Sequence, residues 1–239
     1  MKDIFGKALL DYQLGKYSED IITETSISDE DVLSIPYLFR SYQQMPPLEQ
    51  KALDLAVGNV LDVGCGAGSH SLYLQEKGHD VMAIDSSEGA VNVAKMRGVE
   101  NALHIELLQL ASVRFDTILL LMNGTGIFQK VEKVEVYLQH LKSLLAPNGQ
   151  ILIDSSDLQY MYDSTEEGGI WVPGDRYYGE LDYRITYSGE QSDWFPMLYL
   201  DEGLLGELCE EQGFKFELIA RGDHYDYLAR ITDAERSPS

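Results

Sequence analysis

The chain reads as an α/β protein whose central sheet is mostly parallel and carries helices on both faces. Three observations predict this. Short apolar runs suited to strands buried on both faces, at 60–63, 80–85, 115–122 and 150–154, alternate with stretches of helical periodicity. The first run leads directly into alternating glycines, Gly64, Gly66 and Gly68, and then into a helix opening at Ser69. The second ends in a carboxylate, Asp85, about 20 residues beyond that turn, where open α/β sheets hold ligands.

Residues 1–58 precede the first strand and read as mainly helical. Residues 20–26 are β-branched and suit a loop or short extended piece. Asp29, Glu30 and Asp31 suit the start of a helix over 32–44, which Pro36 must begin or kink. Pro46-Pro47 punctuates, and 48–57 repeats Leu48, Ala52, Leu55 and Ala56 at helical spacing. From Val60 the rhythm is strand 60–63, helix 69–77, strand 80–85, helix 88–97 and a weak strand at 103–106. The central strand 115–122 then runs to Asn123-Gly124-Thr125-Gly126. Val134, Leu138, Leu141 and Leu145 make one face of a helix over 131–145, which Pro147-Asn148-Gly149 ends.

Residues 156–200 interrupt this rhythm. Residues 177–187 alternate as a hairpin strand, and 194–200 supply the return across Ser188-Gly189-Glu190. The insertion holds seven tyrosines (160, 162, 177, 178, 183, 187 and 199) and both tryptophans, Trp171 and Trp194. It reads as a cover over the ligand cleft or, from the same aromatics, as a homodimer interface. An acidic, aromatic cover would favour a cationic acceptor. A helix over 202–212 and two strands, 214–220 and 225–231, complete the fold, and 235–239 read as a disordered tail.

The spacing of the glycines bears on the ligand. A dinucleotide fingerprint places glycines first, third and sixth; here Ser69 stands sixth. A nicotinamide-dependent oxidoreductase is therefore the weaker expectation. The Leu-Asp-Val-Gly-Cys-Gly-Ala-Gly run at 61–68, Ala-Ile-Asp at 83–85, Phe-Asp-Thr-Ile at 115–118 and Leu-Leu-Ala-Pro-Asn-Gly-Gln at 144–150 together resemble the class I S-adenosylmethionine-dependent methyltransferases. The resemblance covers about residues 45–155. It implies a Rossmann-like sheet of seven strands with the last antiparallel, an N-terminal helical lid (1–58), and a methyltransferase domain over 59–234.

The resemblance also implies a site. S-adenosylmethionine would meet Asp62, Gly64, Cys65, Gly66, Gly68, Asp85, Ser86 and Asn123. Glu106 and Leu107 would meet its adenine, with Gln109 or Leu110 as alternatives. Tyr17, Tyr37 and Arg40 are lid candidates, and Tyr17 and Arg40 are counted with the cofactor contacts; the competing reading makes Tyr37 a core contact and Arg40 a surface ion pair. Asn123 and Tyr178 would orient the acceptor, unless Asn123 merely caps a loop. The Asp/Asn-Pro-Pro-Tyr sequence that nucleic-acid and some protein N-methyltransferases carry at this strand end is missing here. His70, His104 and His224 fall in or near cleft-forming segments, and none is assigned as a base.

Composition narrows the acceptor. Forty acidic residues against 18 basic ones give a formal net charge of −22, which repels nucleic acid and anionic membranes. Cys65 and Cys209 lack metal-ligand spacing and read as reduced thiols. No run approaches membrane-spanning length and the N-terminus lacks a signal-peptide core, so a cytoplasmic location is expected. The leading expectation is a small-molecule methyltransferase using in-line transfer; a module that binds the cofactor without turnover is the alternative.

Overall fold

The computed structural model describes residues 2–162, 174 and 176–234. Two sheets organise them. The larger has seven strands: β3 (Val60–Val63), β4 (Val81–Asp85), β5 (Ala102–His104), β6 (Phe115–Leu120), β7 (Leu145–Ser156), β11 (Phe214–Arg221) and β12 (Asp226–Asp233). Their order is β11-β12-β7-β6-β3-β4-β5, and β12 alone runs against the rest. β3 sits between β4 and β6, with Val60 facing Val81 on one side and Thr117 on the other. The order of strands thus reverses beside β3, the place where this architecture opens a crevice at the strands' C-terminal ends.

Alternation along β6 shows why these runs are strands. Ile118 and Leu120 bury into a core with Leu138 and Leu141 of helix α6 (Val134–Leu144), and with Leu205 and Cys209 of α7 (Glu202–Glu211). Leu119 points to the opposite core, against Ala52 and Leu53 of α3 (Pro47–Leu55) and Leu74 of α4 (Ser69–Glu76). Both faces are covered by helices, so the run must be mostly apolar, and the buried Thr117 within it is satisfied by the Val57 backbone. Helix α5 (Glu88–Arg97) is bounded as its sequence demands: Ser87 Oγ accepts from Ala90 N at 3.0 Å, and Gly98 ends it at φ +108°.

The smaller sheet keeps the hairpin expected over 177–187 and 194–200 and adds to it a pairing with the N-terminal segment that the sequence does not announce. Strands β1 (Ile21–Thr25) and β2 (Asp31–Leu33) come from the N-terminal segment; β8 (Glu180–Tyr187), β9 (Glu190–Gln191) and β10 (Phe195–Leu198) come from the insertion. The order β10-β8-β1-β2, with β9 on β8, joins segments about 160 residues apart into one antiparallel sheet. The helix expected over 32–44 is therefore wrong. Val32 lies in β2, the helix α2 has only four residues (Ile35–Leu38) with proline in its first turn, and a 3-10 turn covers Tyr42–Gln44. The N-terminal segment is part strand rather than simply helical. Helix α1 (Ile4–Gln13) completes it and packs on α5 where Gly6 meets Gly89. Asp3 caps both helices, accepting from Gly6 N and Gly89 N at 2.8 Å each. Trp171 and residues 235–239 lie outside the described residues.

Candidate active site

The glycine turn is held from beneath. Gly64 N and Cys65 N both donate to Ile84 O, and the Asp85 carboxylate accepts from Gly66 N at 2.9 Å and Ser87 N at 2.8 Å. Burial raises the Asp85 carboxyl, and these two N–H donors oppose that. Asp62 accepts from Ser71 Oγ at 2.6 Å and ties strand β3 to helix α4. The three glycines then differ in purpose. A Cβ on Gly64 would meet only Ile127 Cδ1, at 3.6 Å, and one on Gly66 (φ +52°) would meet nothing. Side chains at these two positions would enter open space. A Cβ on Gly68 would strike Val99 Cγ2 at 2.7 Å, so Gly68 serves packing.

Above the turn lies a cavity of about 700 Å³. It is lined by Gly64, Cys65, Gly66, Ser86, Glu106, Leu107, Gln109 and Asn123, and by the apolar Leu33, Leu38, Leu121, Met122, Phe195, Pro196 and Met197. The structure therefore brings together Gly64, Cys65, Gly66, Ser86, Glu106, Leu107, Asn123 and Arg40. Asp62, Asp85 and Gly68 stand behind the lining. Cys65 is buried, which pushes its thiol up and keeps it protonated, with Asp62 and Asp85 adding to the effect.

Two expected residues lie elsewhere. Tyr17 is exposed and donates to Asp20 at 2.8 Å, outside the cavity lining. Tyr178 donates to Asp157 at 2.8 Å, beside a smaller cavity bordered by Asp157, Asp201, Arg221 and Tyr227. Among the described residues, none of the seven insertion tyrosines lines the main cavity. Tyr162 donates to Tyr178 O, Tyr177 to Asp201, and Tyr160 stacks on Tyr225. The insertion instead contributes Phe195, Pro196 and Met197.

That wall is fixed by a buried polar network. Asn123, in the left-handed region at φ +62°, donates from Nδ2 to Leu198 O at 3.3 Å. Thr125 Oγ1 lies 3.0 Å from Leu198 O and 2.7 Å from Ser155 Oγ, and Leu200 N donates to Ser155 Oγ at 3.0 Å. Behind it, Asp154 accepts from Met122 N and Gly124 N at 2.9 Å each. Burial pushes the Asp154 carboxyl up to about 6 in spite of those bonds.

Sequence reasoning singled out Arg40 and His70 but missed Glu49, which joins them in a buried cluster rather than a surface ion pair. Arg40, a buried residue, donates to Tyr37 O at 2.8 Å and to Glu49 Oε2; His70 Nε2 lies 2.8 Å from the same carboxylate oxygen. Burial alone would raise Glu49, but the His70 hydrogen bond and the Arg40 charge outweigh it and hold the carboxyl below its usual range. Arg40 Nε is buried without a hydrogen-bond partner. Two glycines facing open space fit a ligand that approaches the backbone closely.

Comparison with known proteins agrees with this geometry. A profile of the methyltransferase-domain family matches residues 61–153. A ubiquinone biosynthesis O-methyltransferase of Pasteurella multocida is 32% identical over 140 residues, covering 49% of this chain and 56% of the relative. A 2-heptyl-1-hydroxyquinolin-4(1H)-one methyltransferase of Mycobacteroides abscessus is 30% identical over 106 residues, covering 40% and 45%. The chain thus spans about half the length of these curated relatives. A methyltransferase from Bacteroides fragilis, crystallised with S-adenosyl-L-homocysteine, is 44% identical and superimposes with a TM-score of 0.91 over 98% of this chain and 95% of that one. The chain belongs to the class I S-adenosylmethionine-dependent methyltransferases. S-adenosylmethionine is the cofactor of this family. Among the described residues, no helix is long and apolar enough to cross a membrane.

Proposed function

We propose that this chain is an enzyme that transfers a methyl group from S-adenosylmethionine to a small-molecule acceptor. When bound, the cofactor supplies a methyl group activated by its sulfonium charge, so the protein's task is positioning and exclusion of water. Gly64 and Gly66 let the backbone approach the cofactor, and Ser86, Glu106 and Leu107 border its nucleoside end. Asp85 acts through the turn, holding Gly66 in place. Asn123 keeps one amide hydrogen free to orient the acceptor.

The observation that carries this proposal is the single cavity shared by the glycine turn and a wall of apolar side chains. The apolar part of its lining, Leu33, Leu38, Leu121, Phe195, Pro196 and Met197, suits an apolar acceptor. Relatives named for ubiquinone biosynthesis and for a hydroxyquinolone make hydroxylated aromatic compounds the first acceptors to screen. Incubation with methyl-tritiated cofactor and a fractionated metabolite extract tests the proposal. Label should appear in a small, apolar product; label confined to macromolecules, or cofactor binding with no transfer to any fraction, would contradict it.

A further inference from the structure

Gly126 is a glycine for a reason that its own backbone does not supply. It lies in the 3-10 turn Gly124–Phe128 and outside the positive-φ region, so its conformation does not call for glycine. A neighbour does. A Cβ here would collide with Met197 Sδ and would lie 3.4 Å from Met197 Cγ and 3.0 Å from Asn123 Nδ2. Both Gly126 and Met197 line the cavity. The thioether of the apolar wall is thus seated against the bare Cα of the turn that follows β6.

The seat matters because methionine brings little rigidity of its own. Phe195 and Pro196, its companions in the wall, have few conformations open to them, whereas Met197 is unbranched and turns freely about its side-chain bonds. On an edge strand such as β10, a side chain of that kind would sample the cavity. Two devices hold it. Leu198 O accepts from Asn123 Nδ2 at 3.3 Å and from Thr125 Oγ1 at 3.0 Å, which pins the strand to the turn. Gly126 then receives the thioether. Resting on the methyltransferase function proposed above, we propose that Met197, fixed by Gly126, sets how large an apolar acceptor the cavity admits. Gly126 is accordingly a positioning residue, acting on the acceptor through Met197. Each substitution then has a definite sign. Met197→Ala removes the thioether arm and enlarges the space beside Asn123. Gly126→Ala fills the seat, and the displaced thioether has the cavity as its open side.

Titration calorimetry of the whole chain, saturated with S-adenosyl-L-homocysteine, tests this with phenol, 1-naphthol and 9-phenanthrol, a series of rising ring size. Met197→Ala should raise the affinity for 9-phenanthrol relative to phenol at least about tenfold. Gly126→Ala should lower the affinity for 1-naphthol relative to phenol by a similar factor. Adding Met197→Ala to Gly126→Ala should restore that ratio to the wild-type value or above, since no thioether remains to be displaced. S-adenosyl-L-homocysteine itself should bind all four proteins equally, which also shows that they fold. Ratios that do not change, a Gly126→Ala defect that persists in the double variant, or a loss of S-adenosyl-L-homocysteine binding in either variant would overturn the inference. Failure of the loaded wild type to bind any of the three phenols would overturn it too, while leaving the methyltransferase function to the label-transfer experiment. Failure of the wild type to bind S-adenosyl-L-homocysteine at all would overturn both.

Discussion

Gly66 and Asp154 show how single residues serve this cleft in opposite ways. Gly66 holds φ +52° with nothing in front of it, so Gly66→Val adds backbone strain of about 1–2 kcal/mol and a side chain in the space left for the ligand. It should abolish measurable S-adenosyl-L-homocysteine binding by calorimetry while leaving a folded protein by circular dichroism. Asp154 is held above its ordinary value, at about 6. An acid whose folded value is raised binds its proton more tightly in the folded state, so its contribution to stability declines as pH rises from about 4 to about 6 and is flat above. Urea midpoints across that window should fall less steeply in Asp154→Asn than in the wild type. Glu49 has the opposite sign: its stabilisation is present above its unfolded value and is lost as pH falls through its depressed folded value.

At the scale of elements, legibility followed locality. The strand at 60–63, the turn, Asp85 and the helix at 88–97 announced themselves because each is specified by residues next to it: apolar runs, glycines, a serine cap. Glu106 and Leu107 were placed through resemblance alone, and they do line the cavity. The hairpin half of the small sheet was legible from its alternation, but its N-terminal half was hidden because β1 has five residues and β2 three, and their partner β8 lies far along the chain; no periodicity reports such a pairing. Glu49 was missed for the same reason, since its link to His70 spans 21 residues and two helices. Tyr178 was over-read because aromatic density in an insertion does not say which way the rings face.

Two substitutions test how these elements are joined. A Cβ at Gly89 would fall 2.6 Å from the Gly6 backbone, so Gly89→Ala should push α1 off α5 and cost about 1–3 kcal/mol, read as a lowered calorimetric midpoint. Thr125 is fully buried and its hydroxyl joins Asn123, Ser155 and Leu198. Thr125→Val should cost about 1–3 kcal/mol and speed hydrogen exchange in residues 195–200, where the acceptor wall is anchored.

For the molecule as a whole, the two sheets divide the work. The large one, packed on both faces, fixes the turn and Asp85; the small one, drawn from both the N-terminal segment and the insertion, supplies Leu33 and Phe195 to Met197. A net charge of −22 adds self-repulsion to the compact state, so the melting midpoint should rise between 20 and 200 mM sodium chloride as that repulsion is screened. The same charge leaves Arg40 and His70 as the cavity's basic side chains among its described lining residues, which concentrates any anion recognition at the start of α4.

The most direct measurement is a crystal structure of the chain with S-adenosyl-L-homocysteine. Density should fill the cavity, with the adenine toward Glu106 and Leu107, the sugar over Gly64 and Gly66, and the amino-acid end at Arg40 and His70. A ligand lodged anywhere else, or an empty cavity at saturating concentration, would contradict the account.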